Sequence, residues 1–386
     1  MENYVFYVTV ERGLEELVAW DLKNSFKNIE VLPNEKFRGK VFLRGSEQHI
    51  YLLNYSARSI NRVILLLLHT EIRTLDDIYK SVKSIDWPEY INKNQTFAIR
   101  ATRKGKHDFT SLDIARVAGS AVIDGYLERT GTRLKVNLKE PDVSIHVEVI
   151  DNQLLIGIDT TGPSLHMRRY RVYNHPMPLR TTLAYLMVRL SKWNPSRESL
   201  LDPMCGGGTI PIEAALWARR IPIAKFRKNE YNFYKLKFLN VEKANEILEK
   251  LLDMENHETF NLIGMDISKN HVEGAIRNAT SASVIDTITF LCGDARKLSK
   301  YFQYESFDVI VTNPPYHLRP RKMLLELYRD FLNEALKIIK TDGRLVIITS
   351  EKKLLKTLLN TKGLSYNVLH VFRYGSLDTG IFLVSK

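Results

Sequence analysis

The second half of this 386-residue chain alternates short β-branched runs with longer segments of helical spacing, and this alternation constrains the fold most strongly. Strand-like runs at residues 262–266, 308–312 and 344–349 are separated by helical patterns at residues 270–279 and 323–339. Strands that are joined through a helix lie parallel in one sheet. The sequence therefore predicts an α/β domain with a parallel sheet, helices on both faces and a hairpin near its C-terminus.

The first half of the chain contains smaller α/β units. β-branched and aromatic residues predict strands at residues 4–10, 143–149 and 154–159, and helical spacing predicts a helix over residues 111–130. Residues 160–178 are rich in proline, glycine and arginine, which is typical of a connector. We predict an N-terminal domain at residues 1–60, a second small domain at 61–160, a linker at 161–178 and a catalytic domain at 179–386.

The composition indicates a soluble protein with a polyanionic partner. Lysine and arginine number 56 against 44 acidic residues, and this net charge of +12 favours nucleic acid. The two cysteines, Cys205 and Cys292, are too few for a disulfide framework or a structural zinc site, so no metal is expected. The longest aliphatic run, residues 63–68, is far below the roughly 20 residues of a membrane span. With no secretory signal visible, we expect a cytoplasmic protein without membrane contact.

A glycine-rich segment follows the first strand of the α/β domain. The segment Leu201-Asp-Pro-Met-Cys-Gly-Gly-Gly-Thr209 lies where open α/β sheets bind ligands, at a strand end that opens a helix. Glycine permits positive φ and lets a ligand approach the backbone closely. The spacing matches neither of the common phosphate-binding patterns, which favours a nucleoside-type ligand. The residues assigned here to cofactor binding are Asp202, Pro203, Cys205, Gly206, Gly207, Gly208 and Thr209.

Acidic residues end the next two strands. Asp266, followed by Ile267, is placed to accept hydrogen bonds from ribose hydroxyls. Asp294, followed by Ala295, is placed to accept one from an adenine amino group. A tight turn would explain the glycine run alone, but three acid-tipped strands in order favour a nucleoside site.

The segment Asn313-Pro314-Pro315-Tyr316 directly follows the strand at residues 308–312. Two prolines fix a rigid corner and leave carbonyl oxygens free to accept hydrogen bonds. The Asn313 side-chain oxygen and the Pro314 carbonyl are both able to accept from one NH2 group, and Tyr316 is able to stack on a base. We therefore predict Asn313, Pro314 and Tyr316 as the catalytic residues, with Asn313 also beside the cofactor.

Together, DPMCGGGT and NPPY resemble the class I, S-adenosylmethionine-dependent methyltransferases that act on exocyclic or amide nitrogens. Phe97-Ala-Ile-Arg100, Gly105-Lys-His107 and the stretch at residues 141–157 are similar to a THUMP domain, an RNA-binding module. The sequences LHMRRYR, from Leu165, and PLRTTLA, from Pro178, are similar to the join in THUMP-linked guanine-N2 methyltransferases. The resemblance covers nearly the whole chain and is closest to tRNA enzymes that make N2-methylguanosine at position 6.

This resemblance implies a fold, a reaction and a partner. The expected fold is a ferredoxin-like N-terminal piece, a THUMP domain and a Rossmann-like methyltransferase domain whose mostly parallel sheet has an antiparallel last strand. The expected activity is transfer of a methyl group from S-adenosylmethionine to N2 of a guanine. The expected partner is tRNA, held at the acceptor stem and 3′ end, and our working expectation is a monomer.

The resemblance and the positive charge also suggest which residues contact RNA. Two positions depart from the family pattern, because Arg169 and His317 stand where such families usually show glycine, and His317 bears on base positioning. The candidate RNA contacts are Lys104, Lys106, His107, Arg168, Arg171, Arg319, Arg321 and Lys322.

Three alternatives stay open. A ribosomal RNA guanine-N2 methyltransferase would share the same pair of domains. A protein glutamine-N5 methyltransferase would use the same corner, since a side-chain amide presents the same NH2 group, although the net charge of +12 argues against it. A non-catalytic RNA-binding protein would retain the fold without the reaction.

Overall fold

The computed structural model describes residues 4–34, 36–227, 230–316 and 320–386. The strands are β1 Tyr4–Thr9, β2 Glu30–Leu32, β3 Lys40–Gly45, β4 Arg62–Glu71, β5 Thr96–Lys104, β6 Lys135–Val136, β7 Val143–Ile150, β8 Gln153–Asp159, β9 Leu200–Asp202, β10 Leu262–Asp266, β11 Ile288–Cys292, β12 Phe307–Thr312, β13 Ile339–Thr349, β14 Ser365–Tyr374 and β15 Leu377–Ser385. The helices are α1 Glu15–Ser25, α2 Glu47–Ser56, α3 Leu75–Ser84, α4 Trp87–Tyr90, α5 Ser111–Thr130, α6 Thr181–Leu190, α7 Thr209–Ala218, α8 Val241–Asp253, α9 Lys269–Ser281, α10 Arg321–Ile338 and α11 Lys352–Thr361. None of the helices in these ranges is both long and apolar enough to cross a lipid bilayer.

The chain divides into two compact units. The first contains the described residues up to Val10, then Val18–Leu165 and Arg227–Lys250, and the second contains Glu11–Leu17, His166–Phe226 and Leu251–Lys386. The segment between α7 and β10 is therefore divided between the units, since Arg227–Lys250 belongs to the first. The finer division of the first unit at residue 60 stays a prediction.

The first unit is built on an eight-stranded sheet in the order β2-β3-β1-β4-β8-β7-β5-β6. Most neighbours are antiparallel, whereas β5 lies parallel to β6 and β7. Tyr7, Phe42, Ile64 and Leu155 form part of its buried core. The central strand β4 contains the aliphatic run at residues 63–68. The sequence alone does not predict this strand, because a continuous apolar run has no period that distinguishes a strand from a helix.

Helix α5 of the first unit has clear sequence signals at both ends. The Thr110 side chain accepts a hydrogen bond from Asp113 N, and the Asp113 carboxylate in turn accepts from Thr110 N. This reciprocal pair satisfies amide groups that the first helical turn leaves unbonded. The helix stops at Gly131, whose φ of 69° suits glycine. The predicted bounds of residues 111–130 are confirmed.

The second unit is built on a seven-stranded sheet in the order β11-β10-β9-β12-β13-β15-β14. The strands from β11 to β13 run parallel, and β15 is antiparallel to both of its neighbours. Leu201, Met265, Ile310 and Ile347 belong to the buried core. The α/β fold with a mostly parallel sheet and an antiparallel last strand is confirmed. Its connections place the loops after β9, β10, β11 and β12 at one edge of the sheet.

Candidate active site

A cavity of about 520 Å³ opens at the carboxyl ends of the parallel strands. It brings together the predicted residues Asp202, Pro203, Cys205, Gly206, Gly207, Thr209, Asp266, Ile267, Asp294, Ala295, Asn313, Pro314 and Tyr316. The predicted residue Gly208 does not line the cavity. It faces Ala275 and Phe290 instead. A second cleft, of about 740 Å³, lies at the amino ends of the strands beside Ser199 and Asp308, and no predicted site residue lines it.

The glycine loop between β9 and α7 forms the floor of the cavity. Gly206 and Gly208 have φ values of 52° and 78°, which side chains rarely adopt. A Cβ at Gly208 would lie 3.0 Å from the Ala275 Cβ and 3.2 Å from the Phe290 ring. The loop is thus a turn that only glycine makes readily, and it exposes backbone to the cavity at Gly206 and Gly207.

Asp202 is a buried carboxylic acid at the tip of β9, with 1% of its surface exposed. Its Oδ1 accepts hydrogen bonds from the Thr312 hydroxyl at 2.9 Å and the Met204 amide at 3.2 Å. Burial, with a smaller contribution from the negative charge of Asp266, raises the pKa of Asp202 to about 7. A positive charge close to this carboxyl would favour its ionised form.

Asp266 fixes the loop that follows β10. Its Oδ2 accepts from the Gly206 amide at 2.9 Å, and its Oδ1 accepts from the Ser268 amide at 2.9 Å. His271 Nδ1 lies 3.3 Å from the same Oδ1. The next residue, Ile267, is 65% exposed although it lines the cavity, so its side chain offers an apolar face to a planar ligand.

Asp294, at the end of β11, forms an ion pair with Arg296, whose Nη2 lies 2.8 Å from Oδ2. Hydrogen bonding from Arg296 lowers the pKa of Asp294, so its carboxylate stays charged. Burial raises the pKa of the Cys205 thiol well above its usual value, which fits a packing residue rather than a nucleophile.

Asn313 begins the corner after β12, and its side-chain oxygen is the most informative atom of the site. Among the residues that the structure describes, this buried Oδ1 has no hydrogen-bond partner. A buried acceptor without a donor is costly, by roughly 1–3 kcal/mol. The atom lies on the wall of a cavity large enough for a ligand. This geometry fits an acceptor reserved for a donor that arrives with the substrate.

Tyr316 is the last residue of this corner and lines the cavity. Burial raises the pKa of its phenol. His317 and Arg319 lie outside the described residues. In the described parts of the chain, no group of three or more histidine, cysteine or acidic side chains is arranged to hold a metal ion.

Comparison with known proteins assigns both halves of the chain. A family model described as an RMKL-like methyltransferase domain matches residues 168–377, and a THUMP domain model matches residues 73–159. The chain belongs to this methyltransferase family. Proteins named tRNA (guanine(6)-N2)-methyltransferase, from Methanocaldococcus jannaschii and Archaeoglobus fulgidus, are each 43% identical. The alignments cover 98% of this chain in both cases, and 99% and 91% of the relatives respectively.

A solved structure shows the same fold. The methyltransferase SMU.472, in complex with S-adenosylhomocysteine, matches with a TM-score of 0.86 at 21% identity. The match covers 100% of this chain and 98% of that one. The predicted membership of the THUMP-linked methyltransferases is confirmed, and so is the prediction that the chain is an enzyme of methyl transfer.

The methyltransferase cavity has one wall that sequence analysis missed. It is formed by the end of the predicted linker and the residue after it, namely His175, Pro176, Met177, Pro178 and Leu179. The His175 ring lies against Gly206 and 4.3 Å from the His271 ring, measured between centroids. Burial, together with His271, lowers the pKa of His175. The high proline content of residues 160–178 is the only sequence signal for this segment, and it indicates a connector rather than a cavity wall.

The predicted RNA contacts near the methyltransferase domain differ in their surroundings. Arg168 lies in the interior, where its Nε is 3.2 Å from Glu213 Oε1, so the structure uses its guanidinium inside the fold rather than at the surface. Arg171 donates to the Thr209 hydroxyl at 2.9 Å, close to the glycine loop. Arg321 pairs with Glu351 at 3.1 Å, and Lys322 lies 4.0 Å from Glu326 at the exposed start of α10.

Two of the three predicted contacts in the THUMP domain, Lys106 and His107, line a cleft of about 750 Å³, whereas Lys104 does not. Lys106 is exposed there, and His107 Nε2 lies 2.6 Å from the Asp151 carbonyl oxygen. Lys104 ends strand β5, directly before this loop. The structure adds Arg73 and Arg103 to the lining, and both are exposed. Arg73 could not be predicted from the pattern around Lys104 and Lys106, because it lies about 30 residues away along the chain.

Proposed function

We propose that this protein transfers a methyl group from S-adenosylmethionine to the exocyclic N2 of guanosine 6 in tRNA. Support comes from the two relatives of that name, which match over nearly their full length. The single structural observation that carries the proposal is the unpartnered, buried Oδ1 of Asn313 on the cavity wall. An amino group that arrives with the substrate would supply the donor that this oxygen lacks.

The residues present fit the cofactor. The positive φ angles of Gly206 and Gly208 create a floor that a Cβ at either position would disturb. In this proposal Asp266 holds the ribose hydroxyls, Ile267 and Ala295 contact the adenine ring, and Asp294 accepts from its amino group. That all four line the cavity supports these roles. S-adenosylmethionine supplies a methyl group that its sulfonium sulfur makes electrophilic.

The corner at Asn313 orients the target nitrogen. Asn313 Oδ1 and the Pro314 carbonyl oxygen accept the two N–H bonds of the guanine amine, which directs its lone pair toward the methyl donor. Tyr316 stacks on the guanine face. Because the leaving group is already activated, the contribution of these residues is alignment, which is worth about 7–11 kcal/mol of the barrier in well-oriented systems.

Guanosine 6 lies in a paired stem, so it must leave the helix to reach the corner. Extrusion costs a few kcal/mol. We propose that the exposed cations of the THUMP cleft and Arg321 and Lys322 at the start of α10 offset this cost through contacts to the RNA backbone. In this proposal the enzyme is a cytoplasmic monomer that binds the acceptor stem and the single-stranded 3′ end of tRNA.

The proposal is tested by incubating the protein with methyl-labelled S-adenosylmethionine and separate pools of tRNA, ribosomal RNA and release-factor protein. We expect label in tRNA alone and, by mass spectrometry of the digested RNA, N2-methylguanosine at position 6. Label only in ribosomal RNA would assign the enzyme to that substrate. Label only in protein would point to glutamine-N5 methylation, and no label in any pool would favour an RNA-binding protein without activity.

A further inference from the structure

Residues 172–179, which are the end of the predicted linker and the residue after it, form what we call the strap. Five of them line the cofactor cavity. The strap belongs to the same compact unit as the glycine loop and α9. A loop that forms a wall of a binding site must be held in place, since ordering it on binding would weaken affinity. The contacts that hold the strap lead to one residue, Asn278 on α9.

Asn278 is 2% exposed and uses both ends of its amide group. Its Oδ1 accepts from the Val172 amide at 2.9 Å and the Tyr173 amide at 2.8 Å. Its Nδ2 donates to the Tyr173 carbonyl at 3.2 Å and to the Gly207 carbonyl at 3.0 Å. One side chain therefore joins the strap to the glycine loop with four hydrogen bonds.

A second, independent contact fixes the same part of the strap. The ring of Tyr173 occupies the space left by Gly274, one turn before Asn278 on α9. A Cβ at Gly274 would lie 2.2–2.5 Å from three atoms of that ring, which is too close for any real contact. Gly274 thus provides a notch for the strap. At the other end, Arg171 bonds both the Leu179 carbonyl and the Thr209 hydroxyl.

We propose that Asn278 is a positioning residue for the cofactor: it joins the strap to the glycine loop, so that the linker completes the cofactor site. Asn278 is not among the residues that line the cavity, so it acts through the strap and the loop. This inference rests on the cofactor part of the proposed function. Loosening the connection weakens cofactor binding and leaves the target corner at Asn313 intact.

The test measures the affinity for S-adenosylhomocysteine by calorimetry, without RNA, together with the melting temperature. Asn278→Asp keeps the volume and the acceptor for the strap amides but places an oxygen against the Gly207 and Tyr173 carbonyls. Gly274→Ala fills the notch, although alanine suits a helix better than glycine does. We expect each to raise the dissociation constant about tenfold or more, because the strap must then be ordered on binding.

Two further variants separate the strap from general effects on folding. Gly119→Ala is the matched control, because Gly119 also lies within a helix and a Cβ there would meet only Ile99, at 3.9 Å. It should leave the dissociation constant unchanged. In a Tyr173→Ala background the ring is gone, so adding Gly274→Ala should weaken binding no further. In turnover assays, the KM for the cofactor should rise more than kcat falls.

The proposal is overturned if Gly274→Ala and Asn278→Asp bind S-adenosylhomocysteine within twofold of the unaltered protein. If Asn278→Asp does not fold, the affinities of Gly274→Ala and of the double variant with Tyr173→Ala decide the question. Additive losses in that double variant would also overturn the role of the strap. If the unaltered protein does not bind S-adenosylhomocysteine, the proposed function itself fails, which is a different outcome from failure of Asn278 alone.

Discussion

The cavity of the methyltransferase domain and the cleft of the THUMP domain hold their polar groups in opposite ways. In the cavity, Asp202 and Asp266 are at most 8% exposed, and backbone amides fix their carboxylates. In the cleft, Arg73, Arg103 and Lys106 are exposed on long side chains. The cavity therefore has the rigidity and low dielectric that atomic alignment needs. The cleft has the solvated charge that attracts a polyanion over a distance.

This contrast predicts that single substitutions cause large, specific losses in the cavity and small, salt-dependent losses in the cleft. The largest loss is expected for Asn313→Ala, which removes the acceptor for the target amine. We expect kcat to fall about 10³-fold, as for the loss of a key hydrogen-bonding group in a preorganised site. Binding of S-adenosylhomocysteine should stay within about twofold, because the variant mainly affects the second substrate.

The control for this variant is Asn367→Ala, since Asn367 is an exposed asparagine on β14 of the same domain. It should retain full activity. Single-turnover methylation of tRNA measures both variants. If Asn313→Ala kept activity within tenfold of the unaltered protein, Asn313 would not position the amine, and the corner would have another role.

A second prediction concerns the free energy of unfolding as a function of pH. The pKa of Asp202 is about 7 in the folded protein against 3.8 in its ordinary state, so the folded protein holds the proton more tightly. Its contribution to stability is then fully present below about pH 4 and is lost as pH rises toward 7. At about 1.4 kcal/mol for each pKa unit, a shift of this size corresponds to a loss on the order of 4 kcal/mol.

The measurement is urea unfolding of the protein without cofactor between pH 4.5 and 8, compared with Asp202→Asn. The variant has no proton to lose at this position, so its stability should decline less steeply across the range. Parallel pH profiles for the two proteins would contradict the assignment of a raised pKa to Asp202. The comparison uses slopes, so a uniform loss of stability in the variant does not disturb it.

Asp266→Ala is expected to have a smaller effect, confined to the cofactor. The ribose would lose a charged acceptor, and the Gly206 and Ser268 amides would lose their partner. Hydrogen bonds to charged groups contribute about 1.5–3 kcal/mol, so the affinity for S-adenosylhomocysteine should fall about 10- to 100-fold. Asp342, an exposed carboxylate near the start of β13, provides the control variant Asp342→Ala, which should bind normally. Calorimetry that found equal affinity in Asp266→Ala would show that the ribose is held elsewhere.

The sequence predicts a region well where the residues that form it are close together along the chain. The glycine loop, Asp266, Asp294 and Asn313 each follow a strand, and the parallel order of those strands places them at one edge of the sheet. Short segments and the alternation of strands and helices were therefore enough to predict that these residues lie together at the cavity, although not that the linker forms another of its walls. Their individual roles stay predictions until the variants above are measured.

Other features depend on contacts between distant parts of the chain, which no local pattern reveals. Asn278 meets Tyr173 across 105 residues and Gly207 across 71. The buried pair of Arg168 and Glu213 is separated by 45 residues, so an arginine in a polar connector was read as a surface cation. A charged residue without a known partner is usually exposed, and only the fold reveals the exception.

The smallest effects are expected in the THUMP cleft, where the charges are exposed and screened by salt. Arg73→Ala combined with Arg103→Ala should weaken tRNA binding about 30-fold at most, because each of the two exposed ion pairs contributes about 1 kcal/mol or less. The slope of log K against log salt should become shallower by about 1 for each lost phosphate contact. Lys93 is an exposed cation of the same unit outside the cleft, so Lys93→Ala is the control.

Because the cavity is untouched, S-adenosylhomocysteine binding should not change in either variant, and single-turnover rates at saturating tRNA should be preserved. An unaltered salt slope would mean that neither arginine contacts the RNA. A fall in the single-turnover rate at saturating tRNA would mean that the cleft also helps to align the target base.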